Sequence, residues 1–473
     1  MAVGLDAPKQ EKWIARYKSK LDKVKIFLAI GKTLDFEAET KKRAPKWMRE
    51  AGLEWLHRLI LNPKSFRKRY LIDYIPFFQL IWQQKLGLYV DRPSDGILDR
   101  NHSVTKNTRT SEIINVVMFG PCLSEQGGMG TVQKHIINSL KEPVSLKHIT
   151  TWNGTNSTFN LFFRALSNFI YQLSIGKVDL VHIHMSERGS VLRKSIIASL
   201  AFVFSRPVIM HTHGCEFHIF YDNLPPIAKR LLNKVLRNCA YVIVLSKSWK
   251  QTYVEKCKLK PEKVLVKYNP VAISPTQVVA RDRSDKLTFV LLGKINQRKG
   301  VFDVLQAIAR LPIDYREKIE LIIAGNGEIG KAIALAEELD IDSLISFPGW
   351  IDAEQRDLLL QQADVFLLPS YNEGLPMALL EAMSWGLPAI TTPVGGVPEL
   401  VIHQENGLLV EPGNIQCLAA SIQALIDYES LRSRLGNAAY QKALDLDVAN
   451  YSRDILEIYY SALGKNSEER LLQ

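Results

Sequence analysis

Cysteine is scarce in this sequence and never closely paired. Only five of the 473 residues are cysteines, and no two of them form a C-x-x-C pair. An odd, scattered set is typical neither of a disulfide framework nor of a cysteine-ligated zinc site. We therefore expect a protein of a reducing compartment, the cytoplasm. The five are Cys122, Cys215, Cys239, Cys257 and Cys417.

Long apolar runs are also lacking. The opening MAVGLDAPKQEKW has no apolar core of the kind that a secretory signal requires. The most hydrophobic runs, such as Ser195 to Ser205, are far shorter than the roughly 18 residues of a membrane-spanning helix. We expect neither a leader nor a span. Repeats and low-complexity segments are absent too, and the length suggests two or three globular domains.

Acidic residues are under-represented at the amino terminus. Over residues 1–110 the basic residues exceed the acidic ones by roughly ten, nearly the whole net charge of +11. The stretch KWMREAGLEWLHRLILNPKSFRKRYLIDYIPFFQLIWQQK mixes these charges with aromatic residues. Two interpretations stay open: basic aromatic helices that bind an anionic membrane surface, or a solvated helical extension packed on the main body. No nucleic-acid-binding motif accompanies the charge, so we expect no nucleic acid partner.

From residue 111 onward, short apolar runs alternate with segments of helical period. Near-continuous apolar strands separated by helices are typical of buried parallel sheets, so the sequence predicts a doubly wound α/β domain. The predicted strands are Ile113 to Phe119, Val178 to Met185, Pro207 to His213, Ala240 to Ser246 and Lys263 to Asn269.

The alternation stops at a linker, Pro270 to Lys286, and then begins again. We predict Rossmann-like domains over residues 111–275 and 286–445 and a final helix within 446–473 that crosses back to the first domain. Two such domains face each other across a crevice at their strand ends, where ligands bind. The second set of strands is Leu287 to Gly293, Ile319 to Gly325, Leu344 to Trp350, Val365 to Ser370, Pro388 to Pro393 and Gly407 to Pro412.

Two glutamates stand at the strand-to-helix junction VFLLPSYNEGLPMALLEAMS. Glu373 lies in the loop after the strand, and Glu381 lies just over one turn into the helix. Between them, backbone N–H groups at the helix N-terminus suit a phosphate, and Gly374 allows close approach. Carboxylates on either side of a phosphate site are better matched to hydroxyl groups. A ligand whose phosphates are flanked by hydroxyl groups on both sides is a sugar nucleotide.

Cations for the phosphates follow the first strand of the second domain, in LLGKINQRKG. Lys294 and Lys299 both lie where that strand meets the next helix. A further strand-to-helix turn, AGNGE, adds glycines that permit close backbone approach.

These motifs resemble those of the retaining, metal-independent glycosyltransferases of family 4, which have the two-domain GT-B fold. EGLPMALLEAMSWGLPAITTPVGGVPELV is similar to the E-x7-E motif of that family. The resemblance implies that Glu373 contacts the transferred sugar, that Glu381 binds the ribose hydroxyls and that Lys294 and Lys299 hold the diphosphate. The family usually has arginine where this chain has Lys294, which keeps the charge without the bidentate fork.

The resemblance extends to the first domain. GPCLSEQGGMG is similar to the Gly-Gly loop of the family, which implies that Gly127 and Gly128 approach the donor phosphate and the acceptor. His213, in VIMHTHG, matches the histidine that lies near the donor sugar. Arg188 and Arg193 are candidates for an anionic acceptor and equally for solvated helix-end residues. The remaining donor-binding candidates are Gly293, Gly325, Asn326, Gly327 and Leu375.

We expect no metal and no cofactor beyond the donor. His182 and His184 alternate along a strand in VHIHM, but no carboxylate or cysteine accompanies them as a further ligand. The acidic triplets DID and DLD are better explained as helix caps.

The sequence thus predicts a hexosyltransferase-type enzyme that moves a sugar from a nucleotide diphosphate to a hydroxyl acceptor. Retention of configuration is implied by the resemblance alone. Bacterial polysaccharide or glycolipid assembly on the inner face of the membrane, with a lipid-linked glycan as acceptor, would suit the basic amino terminus. Two alternatives stay open: a nucleotide-sugar epimerase or hydrolase of the same fold, and a non-catalytic membrane-associated scaffold. A dehydrogenase is disfavoured because no strand is followed by G-x-G-x-x-G.

Overall fold

The computed structural model describes residues 113–124, 127–153, 158–273 and 286–465, together with positions 2–3, 13, 16–17, 21, 24 and 28–29. The chain divides into two compact units, Met1–Asn101 and His102–Gln473. In the first unit, strand β1 (Ala2–Val3) pairs in parallel with β2 (Leu28–Ala29), and the rings of Trp13 and Tyr17 lie 5.0 Å apart. The rest of the predicted helical extension over 1–110 lies outside the described residues.

The second unit begins with a six-stranded parallel sheet in the order β4-β3-β5-β6-β7-β8. The strands are β3 (Ile114–Gly120), β4 (Val144–Thr150), β5 (Leu180–Met185), β6 (Val208–Thr212), β7 (Tyr241–Val244) and β8 (Val264–Val266). The helices are α1 (Gly128–Ser139), α2 (Thr158–Ser174), α3 (Gly189–Val203), α4 (Phe217–Asp222), α5 (Pro226–Asn238) and α6 (Lys247–Cys257).

A second six-stranded parallel sheet follows, in the order β11-β10-β9-β12-β13-β14. Its strands are β9 (Leu287–Leu292), β10 (Ile319–Ala324), β11 (Ile345–Gly349), β12 (Val365–Leu368), β13 (Ala389–Thr391) and β14 (Leu408–Leu409). Its helices are α7 (Val301–Ala309), α8 (Ile313–Arg316), α9 (Ile329–Glu338), α10 (Ala353–Gln362), α11 (Met377–Ser384), α12 (Ile415–Asp427) and α13 (Glu429–Leu444). The prediction of two doubly wound parallel sheets is confirmed.

Alternate residues of the first sheet pack into two different cores. Val117, Phe119 and Val181 face a core that is completed by helices α2 to α6, whereas Val116 and Met118 face the core that contains α1. Right-handed crossovers that progress in one direction from β5 to β8 place their helices on one side of the sheet. We call helices α2 to α6 the outer layer.

The last helix, α14 (Val448–Ala462), lies on the opposite side of the first sheet from the outer layer. It contributes Tyr451, Ile455 and Tyr459 to the core that also holds α1 and the inner face of the second sheet domain. The C-terminal helix therefore packs on both sheet domains of this unit. None of the helices in the described ranges combines the length and apolar character needed to span a bilayer.

Three of the described strands were not predicted: the two-residue β1 and β2, which lie in the segment predicted to be helical, and β4. β4 lies at the edge of the first sheet, and its residues alternate between buried and accessible positions, with Lys147 exposed. An edge strand covered on one face lacks the continuous apolar run that identifies its neighbours. The other predicted strands are present, most of them shortened by one to four residues where the loops begin. Residues 274–285 of the predicted linker lie outside the described residues.

Candidate active site between the two sheet domains

The carboxyl ends of both sheets meet across a narrow crevice. A side-chain carbon on Gly374 would lie 3.5 Å from the carbonyl oxygen of His213, and one on Gly128 would lie 2.9 Å from Met377 Cγ. The Asn269 amide donates to the Leu375 carbonyl at 2.7 Å, which links the end of the first domain to the glutamate loop. The two domains are therefore in contact at these positions: a side chain at Gly374 would only reach van der Waals distance, whereas one at Gly128 would require the Met377 side chain to shift.

Glu373 is the centre of a buried charge cluster at this edge. Its carboxylate is 7% exposed and lies 2.6 Å from the Lys299 amine and 3.9 Å from the Arg298 guanidinium. Arg298 also donates to the Asn372 carbonyl at 2.7 Å, so it holds the loop as well as the charge. Two cations around one carboxylate leave a net positive site, which suits a polyanion.

The loop after β9 fixes Lys299 by local geometry. The Asn296 side chain accepts from the Lys299 backbone N–H at 3.1 Å and caps a single 3₁₀ turn, Gln297–Lys299. Gly300 follows with φ at 70°, and a side-chain carbon there would collide with the Pro369 carbonyl. Only glycine allows the chain to pass β12 this closely while the lysine points back toward Glu373.

Glu381 occupies the second turn of α11 and is paired with a residue that the sequence analysis missed. Its carboxylate lies 2.5 Å from the Arg356 guanidinium of α10, and Arg356 in turn donates to Asp357. Burial raises the pKa of Glu381 although Arg356 opposes the rise. No motif pointed to Arg356, because α10 and α11 come together only through the packing of the sheet.

The other predicted donor-binding residues separate into two groups. Lys294 is exposed beside the crevice edge, whereas the glycines of AGNGE are used inside the fold. A side-chain carbon on Gly325 would collide with the Gly293 carbonyl, and one on Gly327 would collide with the Ile295 carbonyl. The sequence predicted that a ligand would approach these glycines closely; in the structure the loop after β9 occupies that space. Asn326 is exposed at the tip of this turn, and its carbonyl accepts from the Ile295 N–H at 2.7 Å.

On the first domain, Gly127 precedes α1 with φ at 140°, a conformation that favours glycine, and Gly128 begins the helix. Residues 125–126 of this loop lie outside the described residues.

The two acceptor candidates of the first domain differ in exposure. Arg188 is 82% exposed and lies 3.6 Å from Glu216. Arg193 is half-buried, and its Nε has no hydrogen-bond partner. The neighbouring Lys194, which the sequence analysis did not single out, is fully buried with its amine 2.5 Å from Thr151 Oγ1.

His213 is the half-buried end, nearest the crevice, of a column of four histidines. Its Nε2 shares a 2.8 Å hydrogen bond with His184 Nδ1, and burial lowers the pKa of His213 to about 3. Below it, His184 and His211 pair in register on adjacent strands, and His182 shares a 2.8 Å hydrogen bond with the Tyr459 hydroxyl of α14. Burial lowers the pKa of each of these imidazoles as well, so the whole column is neutral at physiological pH.

Three of these histidines are close enough together to suggest a metal site. Ligand atoms of His182, His184 and His211 lie within 4.8 Å of one another. However, the ring planes of His182 and His211 are only 9° apart, and those of His182 and His184 are 27° apart. The nitrogen lone pairs of stacked rings lie in separate, nearly parallel planes, whereas a metal ion needs them to converge on one point. The arrangement fits a stack of neutral aromatic rings better than a set of metal ligands.

A third glutamate of the C-terminal sheet domain, Glu399, binds the other domain across the crevice. Glu399 accepts from the backbone N–H groups of Lys247 and Ser248 at 2.8 and 2.9 Å, and from the Tyr268 hydroxyl at 2.9 Å. It thereby caps the first turn of α6 in the other domain, where a negative charge is favoured. Burial and the Glu399 carboxylate raise the pKa of Tyr268 to about 12.

A cavity of about 710 Å³ lies elsewhere, at the amino ends of the first sheet. Asp179, Pro207 and Lys263, which line it, immediately precede strands. Ligands of doubly wound sheets bind at the opposite, carboxyl edge, where the charged residues described above are gathered. The cavity is therefore separate from the candidate site.

Comparisons with known families follow the same division into domains. The family model "Glycosyl transferases group 1" matches residues 277–442, and the model "Glycosyltransferase Family 4" matches residues 132–274. A third model, of the WecG/TagA/CpsF glycosyltransferase family, matches residues 1–90.

Individual relatives agree with these matches. An uncharacterised glycosyltransferase of Methanocaldococcus jannaschii is 23% identical over 76% of this chain and 92% of its own. The lipopolysaccharide core biosynthesis glycosyltransferase LpsE of Rhizobium meliloti is 30% identical over 40% of this chain and 54% of its own. The putative colanic acid biosynthesis glycosyltransferase WcaL of Salmonella typhimurium is 29% identical over 36% of this chain and 44% of its own.

Solved structures share the fold. HepE of Anabaena, crystallised with UDP and glucose, superposes with a TM-score of 0.59 at 18% identity, covering 74% of this chain and all of HepE. WaaG, a glycosyltransferase involved in lipopolysaccharide biosynthesis, gives a TM-score of 0.56 at 18% identity over 73% of this chain and 99% of its own. The two sheet domains, the order of their strands and the family matches together show that this chain belongs to the family-4 glycosyltransferases of the GT-B fold.

Proposed function

We propose that the enzyme transfers a hexosyl group from a nucleotide-diphosphate sugar to a hydroxyl acceptor with retention of configuration. The observation that carries this proposal is the cluster of Glu373, Lys299 and Arg298 beside the N-terminus of α11, with Glu381 one turn further on. Cations and free helix N–H groups suit a diphosphate, and carboxylates suit the hydroxyls on either side of it. HepE, which shares the fold, was solved with UDP and glucose.

In the proposed reaction, the bond between the anomeric carbon and the diphosphate oxygen breaks first. Lys299, Lys294 and Arg298 stabilise the negative charge that develops on the departing diphosphate, and this electrostatic stabilisation replaces that of a metal ion. The acceptor oxygen attacks the oxocarbenium-like sugar from the face that the diphosphate leaves. Its proton passes to the departing phosphate oxygen, so that charge and atoms balance.

Glu381 and His213 would bind rather than react. Glu381, once released from Arg356, accepts hydrogen bonds from the ribose hydroxyls. His213 is neutral, because burial keeps its pKa at about 3, so its imidazole offers an uncharged hydrogen bond to the donor sugar. Glu373 contacts the transferred sugar while Lys299 turns to the phosphate.

The setting of the reaction is proposed from the relatives and from the charge of the amino terminus. LpsE and WcaL are named for lipopolysaccharide core and colanic acid biosynthesis, so an acceptor in polysaccharide or glycolipid assembly is favoured, a lipid-linked glycan among them. We propose that the basic aromatic segment within residues 1–110 binds the anionic inner leaflet. Flotation with anionic vesicles tests this: replacing Arg67, Lys68 and Arg69 by glutamine should weaken binding, and unchanged binding would contradict it.

The decisive experiment measures donor turnover with and without an acceptor. The purified chain is first screened by thermal shift against UDP-, GDP- and dTDP-sugars, since binding at a hundredfold excess over Kd stabilises by about 2.7 kcal/mol. With the donor identified, Lys299→Met should lower kcat by about 100- to 1,000-fold. Lys331→Met is the matched control, because Lys331 forms an exposed ion pair with Glu328 in the same domain.

Each alternative predicts a different result. An epimerase or hydrolase would convert the donor without any acceptor, whereas a scaffold would leave the donor intact in both assays. Equal turnover by Lys299→Met and Lys331→Met would contradict a catalytic function for the charge cluster. Inversion at the anomeric carbon, read from the product by NMR, would contradict retention.

A further inference from the structure

The outer layer of the first sheet domain has an unusual composition. Helices α2, α3 and α5 contain no aspartate or glutamate over their full lengths, but together carry seven lysines and arginines. Every helix of the second sheet domain, α7 to α13, has at least one acidic residue. Elsewhere in the outer layer α4 and α6 carry Asp222 and Glu255, and α1, on the opposite side of the sheet, is also free of acids. The excess of basic over acidic residues therefore belongs to α2, α3 and α5 in particular.

Large apolar side chains project from the same helices into solvent. Leu192 on α3 is 66% exposed, and Ile227 and Leu231 on α5 are 70% and 61% exposed. Leu231 lies four residues after Ile227, and Ile196 four after Leu192, so each helix presents two of them in a row. Exposed residues of this size are common singly, but a cluster marks an interaction surface. The full set on this layer is Phe163, Tyr171, Leu192, Ile196, Ile219, Ile227 and Leu231.

Basic side chains border these apolar rows. Arg230 and Lys234 are exposed on α5, again four residues apart and next to the row of Ile227 and Leu231. Of the acidic residues closest in sequence, Glu187 is half-buried and accepts from the Glu216 backbone N–H at 2.7 Å. Glu216 and Asp222 are paired with Arg188 and Lys256 at 3.6 and 2.8 Å. The surface is therefore positive and apolar at once.

The position of the rows relates them to the crevice. α3 begins four residues after β5 ends, and Leu192 and Ile196 lie in its first two turns. Ile227 and Leu231 lie in the first two turns of α5. Because helices of a doubly wound sheet run back from the carboxyl edge of the strands, their first turns lie beside the edge that carries His213.

From this combination we infer that the outer layer docks on an anionic lipid bilayer. Leu192, Ile196, Ile227 and Leu231 enter the boundary between headgroups and acyl chains, while Arg230 and Lys234 bind lipid phosphates. A bilayer is favoured over a protein partner because exposed aliphatic side chains stand here among exposed basic ones, which matches the apolar interior and anionic surface of a bilayer. Docking by these turns would place the crevice edge at the membrane surface, within reach of an acceptor anchored in lipid.

This inference is independent of the transfer chemistry, because vesicle binding is measured without donor or acceptor. It is also distinct from binding by residues 1–110, since the two surfaces belong to different segments and can be altered separately. The test is flotation of the full chain with vesicles of phosphatidylglycerol mixed with phosphatidylcholine, compared with phosphatidylcholine alone. Flotation is repeated at about 1 M salt, where the screening length falls to about 3 Å.

Two variants alter the outer layer, one in its apolar rows and one in its charge. Leu192→Ser/Ile227→Ser/Leu231→Ser should reduce the partition coefficient by about tenfold or more, at low and at high salt. Arg230→Glu/Lys234→Glu should reduce it by at least about fivefold per residue, only at low salt and only with phosphatidylglycerol. All these positions are exposed, so circular dichroism and melting temperature should stay unchanged.

The matched controls lie in the second sheet domain. Ile313→Ser/Leu358→Ser replaces side chains that are 72% and 53% exposed, and Arg310→Glu/Lys318→Glu reverses two exposed charges. Neither should change flotation. The inference is overturned if the outer-layer variants float like the unmodified chain, including the case in which only the Arg67, Lys68 and Arg69 substitutions reduce binding. It is equally overturned if the chain binds no vesicles. It is also overturned if sedimentation shows that the apolar variant loses self-association while its vesicle binding is unchanged.

Discussion

At the scale of single residues, the two glutamates of the E-x7-E motif have different surroundings. Glu373 lies between two cations, whereas Glu381 has one cation and a neighbouring carboxylate, Asp357, attached to that cation. Burial and Asp357 therefore raise the pKa of Glu381 against the opposing effect of Arg356. Burial thus disfavours the charged form of Glu381, which makes its proposed binding function dependent on pH.

The first prediction concerns donor binding by Glu381. Glu381→Gln should raise the Kd for the donor by roughly 10- to 150-fold, because charge-assisted hydrogen bonds contribute about 1.5–3 kcal/mol. In the unmodified enzyme, donor affinity should fall as the pH drops through the pKa of Glu381, which burial raises above that of an ordinary glutamate. Arg356→Met removes the cation that opposes the rise, so the midpoint should move to higher pH. Isothermal titration calorimetry over a pH series measures both effects.

A control variant separates this effect from general acid sensitivity. Glu337→Gln alters an exposed glutamate of α9 and should leave both Kd and its midpoint unchanged. A pH profile that Arg356→Met leaves in place would mean that another group controls donor binding.

At the scale of secondary structure elements, β5 and β6 carry polar side chains at positions where neighbouring strands carry aliphatic ones. His182, His184 and His211 are fully buried, and both ring nitrogens of His211 lack hydrogen-bond partners. A buried polar atom left unpaired costs about 1–3 kcal/mol. The column nevertheless supports His213 from below, through its hydrogen bond to His184.

The second prediction is that these strands make folding sensitive to acid. The unfolded chain protonates its histidines below pH 6.5, whereas folded His182 and His213 stay neutral down to about pH 3. Stability is thus fully present above pH 6.5 and is lost as the pH falls toward 3, at about 1.4 kcal/mol per pH unit for each such histidine. His211→Leu should raise the free energy of unfolding at pH 7 by about 1–3 kcal/mol and by about 2 kcal/mol more at pH 5.

Urea unfolding at the two pH values provides the measurement. Ile209→Leu changes a buried residue on the same strand and the same face without changing a titratable group, so its effect should be the same at pH 7 and pH 5. If His211→Leu also showed no dependence on pH, His211 would have to be protonated or paired in the folded protein.

At the scale of the whole molecule, the crevice is held closed by contacts that no motif reveals. Glu399 accepts three hydrogen bonds from the first sheet domain, two of them from the N-terminus of α6. A carboxylate bound in this way is stabilised both by the bonds and by the helix dipole. It therefore favours the conformation in which Gly374 lies against His213.

The third prediction is that Glu399→Ala opens the crevice. Losing hydrogen bonds to a charged group, at about 1.5–3 kcal/mol each, should reduce the ratio of closed to open molecules by more than about tenfold. Small-angle X-ray scattering should show a larger radius of gyration, and donor affinity should fall because the donor needs groups from both domains. Glu411→Ala, at an exposed acid of the same domain, is the control. An unchanged radius with unchanged donor affinity would show that Glu399 does not hold the domains together.

Much of the fold was predictable because its determinants are local. A continuous apolar run such as VFLLP followed by a turn and an amphipathic segment identifies a buried parallel strand without knowledge of its neighbours. The edge strand β4 was missed for the same reason, since its position at the edge permits alternation. Glu373, Glu381 and Lys299 were also found from sequence, because each lies directly at the junction of a strand and a helix.

The sequence by itself thus determined the two doubly wound domains, the family and the residues at the strand ends. Only the tertiary structure decided the partners of those residues: Arg356 for Glu381, His184 for His213, and α6 for Glu399. It also decided that Gly325 and Gly327 pack against neighbouring loops and that the acid-free helices α2, α3 and α5 share one outer layer. The physical reason is the same in each case. Strand and helix signals depend on neighbours in the chain, whereas ion pairs, close approaches and exposed faces depend on which elements the sheet order brings together.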